Sequence, residues 1–193
     1  MLKQLIALVC CSFMLTAYAA NPKDLEKLSK LVLADAKGLD LSNADLRSYQ
    51  FSPGKTTLKN ANLTHANLAD VNLEKVDLTG ADLSYAILTH AKLSGANLSN
   101  TTLDHADLTG ATLTQTNLSG AKLNYTLLNN ADLQQANLTN ADFTCANFNN
   151  ANLTKANLMQ AVISSATFIN TITAEVQNYD SVIDNHVKCE ATS

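Results

Sequence analysis

The chain has 193 residues and carries 13 Lys plus Arg against 17 Asp plus Glu, a formal net charge of -4. That sign excludes a general nucleic-acid binder, which needs clustered cations to neutralise phosphates. With Gly 6, Pro 2 and Trp 0, a sandwich or barrel built on Gly/Pro turns is disfavoured, while the over-use of Leu (31) and Asn (22) points to internal repetition.

Residues 1–20 read MLKQLIALVCCSFMLTAYAA. Lys3 precedes an apolar run from Leu5 to Leu15, and Ala17-Tyr18-Ala19 then supplies a small-residue cleavage site, the three-part pattern of a secretory signal peptide. The run is shorter than the roughly 20 apolar residues a membrane span requires. Val9 and Cys10 precede the leader cysteines where a lipid-modified signal needs Gly or Ala. The expectation is a signal peptide over 1–19 and an exported protein, periplasmic or secreted, with no membrane attachment once the leader is gone. Cys10 and Cys11 leave with the leader. Cys145 and Cys189 remain, either as a disulfide tying the tail to the body in an oxidising compartment or as two unrelated thiols.

Over 20–38 the sequence predicts a short amphipathic α-helix. Asn21 is its N-cap, Pro22 its first residue and Gly38 its stop, with Leu25, Leu28, Leu31 and Val32 on one face. It is placed as a cap on the N-terminal end of the repetitive body that begins at 39.

From Leu58 to Phe168 every fifth residue is large and apolar, 23 positions without exception. Two residues before each stands Ala, Thr or Val, the position between is most often Asn or Asp, and the following one is most often Ser or Thr. A period of five fits neither the 3.6 of a helix nor the 2 of a strand. The chain must turn within each unit so that the large residue and the small one both point inward, and stacked coils about 4.8 Å apart then bond to one another. That is a solenoid, whose repeats bury an apolar face only when stacked.

Units such as Ala61-Asn62-Leu63-Thr64-His65, Ala81-Asp82-Leu83-Ser84-Tyr85 and Ala96-Asn97-Leu98-Ser99-Asn100 resemble the A-(D/N)-L-x-x motif of the pentapeptide repeat family. The resemblance implies an all-β fold, a right-handed quadrilateral β-helix with four units per coil, Leu or Phe on the axis and Ala at the corners. The pattern starts earlier, at Leu41, Leu46 and Phe51, with Tyr49 oversized for a small position. The step of seven from Phe51 to Leu58 predicts an outward loop within 52–57. The β-helix is therefore placed over 39–170. The tail, 171–193, loses the period and is expected to cover the far end.

Coils of twenty residues set outward positions in columns. One column holds His65, Tyr85, His105, Tyr125 and Cys145. Two His two rungs apart, at about 9.6 Å, do not share one metal ion, so the column reads as an exposed ladder or as a binding stripe. A second column, Thr57, Asp77, Asn97, Asn117, Asn137 and Asn157, reads as stacked amides bonded along the axis. Ile87 and Leu127 stand where Asn or Asp is usual and mark an apolar contact patch or scattered exposed hydrophobes. The chain carries no phosphate loop, nucleophile elbow or metal-ligand spacing, and a regular rod lacks a concave pocket. The expectation is no enzyme, no cofactor and no metal.

Three functional readings remain. The first is a rigid exported scaffold for an unidentified protein partner. The second comes from the resemblance, which implies that some cytoplasmic members imitate duplex DNA and bind DNA gyrase. Against it stand the leader and eight acids to five Lys between Leu58 and Asn170, when duplex DNA carries one charge per about 1.7 Å. The third is a structural or surface protein, with a homodimer through an end face.

Overall fold

In a computed structural model of the chain, residues 38–184 and Cys189 are described. The predicted leader over 1–19 lies outside the described residues, and so does the predicted cap helix over 20–38 apart from Gly38.

Each five-residue unit is one backbone bridge followed by one turn, and unit 96–100 shows why the motif takes its form. The Ala96 N–H closes the preceding turn on the Leu93 carbonyl at 2.9 Å, and the Asn97 N–H donates backwards to Val76 O at 3.0 Å. The Leu98 N–H donates forwards to Asn117 O at 2.7 Å, and the Asn100 N–H to Ser119 O at 2.9 Å. The remaining donor, the Ser99 N–H, is met by Asn97 Oδ1 at 3.2 Å. This is an Asx turn, a side-chain carbonyl bonding the backbone two residues on. Asp performs it equally, as in Ser84 N–H to Asp82 Oδ1 at 3.0 Å. Short side-chain acceptors therefore stand in front of Leu because all five backbone N–H groups of a unit then have partners.

From Asn60 to Glu175 the corner residue that ends each unit has a positive φ, for example Asn100 at 56° and His105 at 60°. A positive φ at the third residue of a four-residue turn is the mark of type II. For a non-glycine residue it costs about 1 kcal/mol, and the corner N–H bond to the next coil holds it there. At Gly110 the absence of a Cβ leaves room for the His90 ring of the coil before, whose Nδ1 would otherwise lie 2.5 Å from it and have to swing away.

Coils repeat every twenty residues in parallel register, as in Asp77↔Asn97↔Asn117↔Asn137. Below the loop the offset is 22, in Asp40↔Asn62 and Asp45↔Asn67. The excursion falls on Ser52-Pro53-Gly54-Lys55 within the predicted 52–57: Ser52 O accepts the N–H groups of Lys55 and Thr56, Thr56 is buried, and Thr57 already bridges Asp77. Tyr49 is half-buried and packs edge-on against Phe51, ring centroids 4.6 Å apart.

The axis is continuous apolar core. Leu58 through Leu158 along the five-residue series are buried, as are the Ala, Val and Thr residues two positions before them. Where Thr replaces Ala its hydroxyl bonds a carbonyl of the coil wall, Thr116 to Leu93 O at 2.9 Å and Thr126 to Leu103 O at 2.8 Å. Phe148 stacks on Phe168 one coil on, at 5.0 Å and 5°.

Past Asn170 the side-chain period is lost but the coil goes on. Ile172 bridges Asn152, Gln177 bridges Asn157, and Ile183 bridges Val162 with an offset of 21. The extra residue sits beside the 3-10 turn Tyr179–Ser181. Val176 and Val182 pack partly against the core end. The first part of the tail is thus a further coil.

Candidate functional site

Corner side chains project from turns, so those of successive coils meet directly. His65, Tyr85, His105 and Tyr125 form one unbroken stack, with centroids 4.9, 4.7 and 4.9 Å apart and planes within 11°. Each contact is worth about 0.5–1.5 kcal/mol beyond buried area. The rings cover one another's faces and leave their edges outward, with Tyr85 51% exposed. The next rung is Cys145, disulfide-bonded to Cys189, Cα–Cα 5.7 Å. The column thus runs from four aromatic rungs into a covalent tie to the tail.

Two residues beyond this corner lies a flat face with the column Asn67, Ile87, Asp107, Leu127, Asn147, each bridged to the next. Ile87 is 41% and Leu127 42% exposed. Neither supplies an Asx acceptor, and the N–H groups of Thr89 and Asn129 have none among the described residues, whereas Asp107 Oδ1 accepts the Thr109 N–H at 2.9 Å. Turn chemistry favours Asn or Asp at 87 and 127, and the core makes no demand there, since the side chains point out. The sequence flags both residues. It does not flag Asp107 between them, which looks like any other repeat acid.

The amide column bonds along the axis over part of its length. Asn137 Nδ2 donates to Asn117 Oδ1 at 3.1 Å, Asn117 to Asn97 at 3.2 Å, and Asn97 to Thr79 Oγ1 at 2.9 Å. At its foot Asp77 is held below the usual carboxylate range. Partial burial pushes its pKa up, but bonds from Thr79 and Lys59 outweigh that, the Lys59 ammonium lying 3.0 Å away. Further along, Gln135, Asn137, Lys155, Asn157 and Gln177 line an open polar depression. Among the described residues no three His, Cys, Asp or Glu come together in a metal-binding group.

A family model described as pentapeptide repeats matches residues 56–95 in eight copies, and one described as a pentapeptide repeat region matches 81–158. No curated protein matches the chain. Among solved structures, a trypsin-treated variant of QnrB1, a plasmid-mediated fluoroquinolone resistance protein, aligns with TM-score 0.59 at 14% identity over 71% of this chain. The chain spans 65% of that protein's length. Full-length QnrB1 aligns with TM-score 0.52 at 12% identity, covering 79% of this chain and 91% of that one. HetL, involved in heterocyst differentiation regulation in the cyanobacterium Nostoc sp. strain PCC 7120, is 29% identical with TM-score 0.35, over 74% of this chain and 82% of its own. The QnrB1 likeness is one of fold.

Proposed function

Because the chain belongs to the pentapeptide repeat family, we propose that it is an exported, non-enzymatic scaffold that binds a protein partner through the aromatic corner and the face beside it. One observation carries this reading: Ile87 and Leu127 expose apolar surface where the fold's own hydrogen bonding favours Asn or Asp. A rigid rod of this kind binds without a large ordering cost.

Export is supported by the leader pattern over 1–19 and by the Cys145–Cys189 bond, since disulfides persist in oxidising compartments. A homodimer through the C-terminal end is supported by the core end itself, where Phe168, Val176 and Val182 are only partly buried. The family resemblance carries a gyrase-directed reading, but the charge does not favour DNA mimicry: eight acids against five Lys over residues 58–170 fall far short of one charge per about 1.7 Å.

Cell fractionation with sequencing of the mature N-terminus tests export, and retention of an uncleaved chain in the cytoplasm refutes it. Pull-down from the extracytoplasmic fraction with the mature rod tests the scaffold role. A partner captured equally by the rod and by Ile87→Asn/Leu127→Asn overturns the assignment of this face.

A further inference from the structure

Resting on that scaffold reading, we infer that the Ile87–Asp107–Leu127 column receives an amphipathic helix of the partner, lying along the rod axis. Its apolar side chains at i and i+7 would seat on Ile87 and Leu127, and its Lys or Arg at i+3 or i+4 on Asp107.

Periodicity selects the helix. Consecutive rungs are about 4.8 Å apart, so Ile87 and Leu127 are separated by about 9.6 Å with Asp107 midway. A helix rises 1.5 Å per residue, which puts i+7 at about 10.5 Å and i+3 or i+4 at about 4.5–6 Å, all on one face. An extended strand places same-face side chains at about 6.6 and 13 Å and matches neither spacing.

Charge excludes the simplest rival, a second copy of this chain. A two-fold contact centred on this patch sets Asp107 against its own copy, and like charges facing each other across an interface are destabilising. Asp107 makes no ion pair among the described residues. A cation in the middle of the partner's apolar stripe answers that carboxylate, while apolar residues on either side answer Ile87 and Leu127. The stacked ladder supplies a wall, since Tyr85 and Tyr125 precede Ile87 and Leu127 by two residues each.

The test is site-specific photocross-linking of the full chain in its own cells. A benzophenone amino acid is placed singly at 87 and at 127, with further positions on other faces at 92 and 122, and the cross-linked sites are mapped by mass spectrometry. The expected result is one partner polypeptide, with the sites reached from 87 and 127 lying about seven residues apart. Asp107→Lys is expected to cut cross-linking from 87 at least about tenfold, corresponding to roughly 1.4 kcal/mol. A spacing of about three residues means an extended segment, and cross-links to this chain itself mean self-association; either overturns the inference. Cross-links only from 92 or 122 reject this face and the binding surface proposed above, and leave the scaffold role itself standing. None from any position defeats both.

Discussion

Asn117→Ala tests directly why the motif places Asn or Asp before Leu. Asn117 Oδ1 accepts the Ser119 N–H at 3.2 Å and Asn137 Nδ2 at 3.1 Å, and its own Nδ2 donates to Asn97 Oδ1 at 3.2 Å. A net hydrogen bond is worth about 0.5–1.5 kcal/mol. These three are long and only partly buried, so the lower half of that range applies and the expected loss is about 1.5–3 kcal/mol. Asn117→Asp keeps both acceptor bonds and loses only the donated one, while setting a carboxylate near Asn97 Oδ1, for an expected loss of about 0.5–1.5 kcal/mol. Thr102 occupies an equivalent position, and its hydroxyl makes no hydrogen bond among the described residues, so Thr102→Ala should change stability by less than about 0.5 kcal/mol. The assay is urea unfolding monitored by far-UV circular dichroism, with equal m-values required so that midpoints compare stability alone. Asn117→Ala matching Thr102→Ala, or Asn117→Asp proving as harmful as Asn117→Ala, refutes the backbone-satisfaction argument.

Ile87→Asn gives the Thr89 N–H an acceptor and should raise stability by about 0.5–1 kcal/mol in the same assay while weakening partner capture; a destabilised variant would show that the fold itself needs Ile87. Leu98→Asp buries an unpaired charge on the axis, costs several kcal/mol and should abolish the folded circular dichroism spectrum, whereas His105→Ala loses two ring contacts, about 1–3 kcal/mol, and should remain folded. Cys189→Ser opens a loop of sequence separation 44 and, on the chain-entropy model, should lower stability by up to about 4 kcal/mol; thermal melts with and without reductant measure it, and reductant should not shift the variant's melt. Because the folded Asp77 pKa lies below 3.8, its contribution is fully present above that pH and is lost as pH falls through the depressed value. Asp77→Asn should therefore flatten the acid limb of the stability profile below about pH 4, leaving the neutral region parallel to wild type.

The alternation of inside and outside was legible in the sequence because a five-residue period admits one arrangement: Leu98 and Ala96 must point inward together, so His105 and Ile87 must point outward. The same arithmetic lined up His65, Tyr85, His105 and Tyr125, and it set Ile87 and Leu127 two rungs apart on one face. Spacing alone carries no torsion or contact, so only the tertiary structure decided that the rings spend their faces on one another, that Asn97 Oδ1 caps Ser99, and that Cys189 reaches Cys145. The end of the solenoid was likewise a tertiary matter. Side chains stop reporting the coil after Asn170, yet the backbone of Ile172, Gln177 and Ile183 continues it. The coil beneath presents donors and acceptors at fixed spacing, and a ladder of main-chain hydrogen bonds propagates whatever side chains it carries.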